Sequence, residues 1–70
     1  MFTAKVEKIL RESERALLVL VEVARPDGEP ADESVWLPKS QINVVDDHTV
    51  EMPAWLAAAK ERDMEFRPLW

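Results

Sequence analysis

The chain has a single histidine, His48, and it follows two aspartates, Asp46 and Asp47. Imidazole and carboxylate are metal ligands, so this triplet raises the question of a divalent ion. Adjacent residues of one turn cannot converge on an ion without further ligands, and the chain has no cysteine and no second histidine to supply them. Asp and His are also ordinary turn residues, so no metal is expected here. Ser40 could be drawn as a nucleophile with His48 as its base. No G-x-S-x-G elbow surrounds it, and no glycine loop is present to build an oxyanion hole. Ser40 serves more simply by bonding the backbone at a corner. The carboxylates are many, but the sequence sets none in an apolar pocket. The expectation is a non-enzymatic domain that needs no cofactor.

Binding is the chemistry that the residues favour instead. The stretch "VWLPKSQINVV", residues 35–45, places Trp36 between two aliphatics, stops at Pro38, and shows Lys39, Ser40 and Gln41 before turning apolar again. If Val35 and Leu37 point inward, strand alternation puts Trp36 on the opposite face. There it is either covered by the helix or tail, the commoner fate of a tryptophan, or exposed beside Lys39 and Gln41 as an anchor for a partner or a base. A second feature precedes it. Residues 25–34, "RPDGEPADES", carry Asp27, Glu29, Asp32 and Glu33 in what reads as a solvated loop that could steer a partner. Trp55 reads as the residue that packs a helix onto a sheet. Trp70 reads as folded back over the sheet or engaged in a dimer contact.

Composition narrows the partner. Fourteen Asp and Glu against nine Lys and Arg give a net charge of −5. A duplex-DNA binder needs a basic face to displace counterions, and this balance argues against that role. Lys5, Lys8, Arg11 and Arg15 gather near the start, but Glu7, Glu12 and Glu14 interleave with them and charge-paired strands account for the pattern. A basic protein surface suits the overall charge better, and solubility alone explains it too. The longest apolar run, "ALLVLV" at 16–21, is far too short to cross a bilayer, and the first residues do not read as a signal peptide. Cytosol is the expected location, with no membrane partner.

Seventy residues make one domain, and a chain of this size buries only about 60% of its unfolded surface. Without disulfides or metal, packing or self-association must support it. Residues 2–10 show both helical and alternating apolar spacing. The next segment, "ALLVLVEVA" at 16–24, is aliphatic at both parities and valine-rich, which predicts a central strand covered on both faces. Such a strand needs a neighbour, so residues 2–10 are read as a strand with a bulge near Lys8 and Ile9, joined by a polar connection at 11–15. Pro26-Asp27-Gly28 is a turn. "SVWL", "INVV" and "VEM" then give three short strands, with a polar turn at 46–49. Pro53 opens a helix over 53–62 with Trp55, Leu56 and Ala59 on one face, and 63–70 forms an irregular tail. The predicted architecture is α+β and mostly β. It is a small antiparallel meander or partly open barrel of about five short strands (1–52) with one C-terminal helix.

Two segments together resemble a group of small phage and prophage proteins. "VWLPKSQI" matches their tryptophan-hydrophobic-Pro-Lys-Ser-Gln-Ile core, and "VEMPAWLAAAKE" matches their closing hydrophobic-Pro-x-Trp-Leu helix. "KVEKILRESERALLVLVEV" is similar to the hairpin that precedes the motif in that group. The matched positions are Trp36, Pro38, Lys39, Ser40, Gln41, Ile42, Pro53, Trp55 and Leu56. The acidic insertion before the core and the tail "RDMEFRPLW" depart from the group's pattern. The group has no firmly assigned activity, so the resemblance implies context: a phage or mobile-element accessory protein in a bacterial cytoplasm. The expected function is that of an acidic protein-binding module, for instance an inhibitor of a host nucleic-acid-handling or defence complex. The alternative is an accessory protein that binds single-stranded nucleic acid. The chain is expected as a monomer, or as a homodimer through its tail.

Overall fold

The computed structural model describes residues 1–70 and shows seven strand segments in two antiparallel sheets with one C-terminal helix. The first strand is bent. Its first half, β1 (Phe2–Lys5), pairs with β6 (Thr49–Met52), and β6 in turn pairs with β5 (Asn43–Asp46). Its second half, β2 (Lys8–Glu12), crosses to the other sheet and pairs with β3 (Ala16–Ala24). The bend is held where Val6 N–H donates to the His48 carbonyl (2.9 Å) and Glu7 N–H donates to the Leu20 carbonyl (2.7 Å). A first strand shared between two sheets bends the predicted mostly-β α+β fold toward a partly open barrel, in seven strand segments where the sequence suggests about five. The bulge is present too, one position on from the expected place: the register slips between Ile9 and Arg11, leaving Leu10 as the extra residue.

β3 pairs along all nine residues with β4 (Pro30–Pro38). That strand begins earlier than expected. Residues 30–34 belong to the hairpin rather than to the acidic loop, because Ala31 and Glu33 sit opposite Val23 and Val21 and extend the ladder. The true turn is short. Gly28 N–H donates to the Arg25 carbonyl (3.0 Å), Pro26 presets the turn, and Gly28 adopts φ +79°, a conformation that favours glycine. After β4, a single 3₁₀ turn over Lys39–Gln41 swings the chain to β5.

The core lies between the sheets. Inward-facing Leu17, Val19, Val21 and Val23 of β3 meet Val35 and Leu37 of β4, Ala4 and Val6 of the first strand, and Val50 and Met52 of β6. Helix α1 (Ala54–Asp63) adds Leu56 and Ala57. Two expectations fail here. Trp55 does not pack the helix onto the sheet; it is 59% exposed. At 100° per residue, Leu56, Ala57 and half-buried Lys60 share the inward stripe, and Trp55 is turned away from it. The outer face of β3 is not covered either: Leu18 and Leu20 are half-buried where a strand closed on both faces would hide them.

The tail closes a seam. Where the first strand leaves β3 for β6, the edge of β3 would lie bare at Glu22–Ala24. Residues Arg67–Pro68 fill it as β7, pairing with Ala24 and Val23, and Leu69 N–H donates to the Glu22 carbonyl (2.8 Å). Trp70 packs edge-on against Phe2 of β1 at 6.0 Å, and Arg25 lies 5.9 Å from the Phe66 ring. The tail is therefore an ordered part of the barrel wall, folded back onto its own chain.

Candidate binding face around Trp36

Alternation along β4 decides the fate of Trp36. Val35 and Leu37 are buried, and Trp36 between them is 44% exposed. Neither helix nor tail covers it, so the covered alternative does not hold. Register defines its neighbours. Trp36 lies opposite Leu18 of β3, and Leu18 lies opposite Arg11 of β2. The next row reads Ser34, Leu20, Lys8. The outer face of the β2–β3–β4 sheet thus carries a strip of Trp36, Leu18 and Leu20, flanked on β2 by Lys8 and Arg11. Farther along, Glu22 and Asp32 stand opposite each other, both exposed, and give this face an acidic end.

Of the cations near the start, which the single-strand alternative sets beside Trp36 as phosphate contacts, Lys8 and Arg11 lie on this face. The bulge decides Arg11: it moves that residue into register with Leu18, whereas plain alternation from Lys8 would turn it inward. The ion pairs formed in the structure are Arg25–Asp27 and Lys39–Glu12, so Lys8 and Arg11 remain free of carboxylate partners. Lys39 is held by Glu12 across the barrel end, which weakens it as an independent contact. Gln41 is exposed in the 3₁₀ turn.

The four acidic candidates do not act together. Asp27 is occupied within its own turn, accepting from Arg25 Nη2 (2.8 Å) and from Glu29 N–H (3.0 Å). Glu29 is exposed beside it. Asp32 faces outward on β4, on the same face as Trp36. Glu33 faces the other way, and its Oε2 accepts from Glu65 N–H (3.2 Å) at the start of the tail. A loop dividing into turn, strand and tail anchor cannot serve as one steering element.

The polar turn at 46–49 has a structural use. His48 N–H donates to Asp46 Oδ1 (2.8 Å), and His48 Nδ1 donates to the Glu7 carbonyl (3.0 Å), so the β5–β6 turn clasps the bend of the first strand. The backbone bond from His48 and the Thr49 hydroxyl hold the Asp46 carboxyl below its ordinary range. Ser40 is exposed and makes no bond to His48, and no three ligand-type side chains gather anywhere in the chain. An open groove of about 310 Å³ lies between Glu22–Arg25, Gly28–Pro30 and Leu69. Comparison with known protein families, curated proteins and solved structures finds no match to this chain.

Proposed function

We propose that this chain is a non-enzymatic protein-binding module that uses the outer face of the β2–β3–β4 sheet, with Trp36 as its anchor. The observation that carries this reading is the uncovered tryptophan in an apolar strip on an otherwise acidic molecule. Large aromatics at interfaces supply a disproportionate share of the binding energy. The two motifs that resemble small phage proteins support a phage or mobile-element accessory role in a bacterial cytoplasm. In that setting an acidic module occupies a surface of a host nucleic-acid-handling or defence complex. Asp32 and Glu22, at the acidic end of the strip, would meet a basic rim on the partner.

The experiment is capture from bacterial lysate, after nuclease treatment, with tagged wild type and a Trp36→Ala variant shown to fold. A discrete protein held by the wild type and lost with the variant supports the reading, and titration of that purified protein must give the same contrast. Equal recovery with both overturns the role of Trp36.

One observation favours a second reading. Lys8 and Arg11 share the face with Trp36 in register, so a single strand could stack a base on the indole and place phosphates on the two cations. Anisotropy of a labelled single strand at low salt tests it. No change at micromolar protein eliminates this alternative.

A further inference from the structure

β4 has a neighbour on one side only, and the direction of its backbone groups can be worked out residue by residue. Lys39 N–H donates to the Arg15 carbonyl (2.9 Å), so these residues form a hydrogen-bonded pair. The register carries this parity along the ladder: Leu37, Val35, Glu33 and Ala31 of β4 direct their N–H and C=O groups at β3. On β3 the even-numbered residues must then point to the opposite side. They do, since the carbonyls of Ala16, Leu20 and Glu22 accept from Ser13, Glu7 and Leu69. The even-numbered residues of β4 therefore direct their backbone groups away from β3, where no strand lies. These are Pro30, Asp32, Ser34, Trp36 and Pro38.

Both ends of this free edge are prolines, which fit here because their missing N–H faces outward. Between them the edge offers three donors, the N–H groups of Asp32, Ser34 and Trp36, together with their carbonyls. Within the chain no strand pairs with this edge. Charge is graded along the edge, with Glu29 and Asp32 at one end and Lys39 beyond the other.

We propose that this edge pairs antiparallel with the same edge of a second copy, on a two-fold axis through Ser34. That register overlaps all nine residues. Ser34 faces Ser34, Asp32 faces Trp36, and proline faces proline, so all three donors of each copy meet a carbonyl and no donor meets a ring. Glu29 of one copy falls opposite Lys39 of the other, which sets acidic end against basic end. An isologous two-fold closes on itself, so both β4 edges are consumed and no filament follows. The product is one continuous sheet, β2-β3-β4 joined to its copy, with both Trp36 strips on a common outer face. The pairing differs from the partner reading above, because it uses the backbone edge of β4; Asp32 of the copy comes beside Trp36, and the strip of Trp36, Leu18 and Leu20 stays on the open outer face.

Two measurements on the full chain test it. Light scattering coupled to size exclusion at high protein concentration should give twice the 8.1 kDa chain mass. Ser34→Pro removes a donor from the edge without touching the β3 ladder, and should weaken the dimer about 30-fold or more. Amide exchange by NMR gives an independent readout that needs no variant. The Asp32, Ser34 and Trp36 amides should gain protection as protein concentration rises, while those of Ala31, Glu33, Val35 and Leu37 stay protected throughout. A chain that stays monomeric at the highest concentration, with those three amides exchanging fast, overturns the proposal. So does a dimer in which they remain unprotected.

Discussion

The two flanks of β3 meet the same requirement in opposite ways. On one flank the bent first strand leaves a gap, and the tail fills it with two ladder residues, a backbone bond to Glu22 and a ring laid against Phe2. On the other flank β4 completes the ladder and then stops, leaving its own outer edge bare between two prolines. Both flanks expose backbone groups that must find water or a partner. The difference is that seven residues of this small chain, 64–70, are committed to sealing the gap beside β3, and none to covering the outer edge of β4. The tail side supports the fold, and the β4 side, with Trp36 beside it, is the side proposed for contact.

Breaking the sealed side should have the largest effect. Deleting residues 64–70 bares the β3 edge and removes Phe66, Pro68 and Trp70 from the core margin, at a cost on the order of 5 kcal/mol. Urea unfolding should find the truncated chain largely unfolded in buffer. A cooperative transition near the wild-type midpoint would show that the tail is ornamental. Within β4 itself, Leu37→Ala opens a cavity at a fully buried position and should lower stability by about 3 kcal/mol. Glu33→Ala removes the acceptor for the Glu65 amide, costs about 1 kcal/mol, and should speed exchange of that amide in particular. If the Glu65 amide keeps its protection, the tail is anchored by something other than Glu33.

The smallest effect concerns pH. Asp46 is held below its ordinary value by the His48 backbone bond and the Thr49 hydroxyl, so its ionised form favours the folded state. This contribution is fully present above the unfolded carboxylate value and is lost as pH falls through the lower folded value. Acid titration of stability should therefore show a shallower acid limb in Asp46→Asn than in wild type. Parallel acid limbs would mean that the turn contributes nothing through Asp46.

Much of this fold is legible in the residues. β3 declares itself by nine aliphatic-rich positions, the Pro-Asp-Gly turn by its φ requirements, and the helix start by Pro53. What the sequence hides are features fixed by contacts between distant segments. A two-residue strand such as Arg67–Pro68 has no pattern of its own and exists only because β3 presents an unfilled edge. Asp32 and Glu33 look like loop residues, yet the ladder recruits them and sends them to opposite faces. Trp55 illustrates the reverse error. Successive helix residues stand 100° apart, so three in a row cannot share one stripe; Leu56 and Ala57 straddle the inward direction and Trp55 falls outside it. Apolar residues at both parities of β3 suggest cover on both faces. Here the second parity instead forms the floor of an exposed strip, and a one-residue bulge brings Arg11 to its margin.

Trp36 is the decisive residue, since its neighbours Val35 and Leu37 belong to the core while it lies on the surface. Urea unfolding of Trp36→Ala beside Leu37→Ala makes the comparison on one strand. Trp36→Ala should stay within about 1 kcal/mol of wild type while Leu37→Ala does not. A Trp36→Ala chain that unfolds as readily as Leu37→Ala would make Trp36 a structural residue and contradict the proposed binding face.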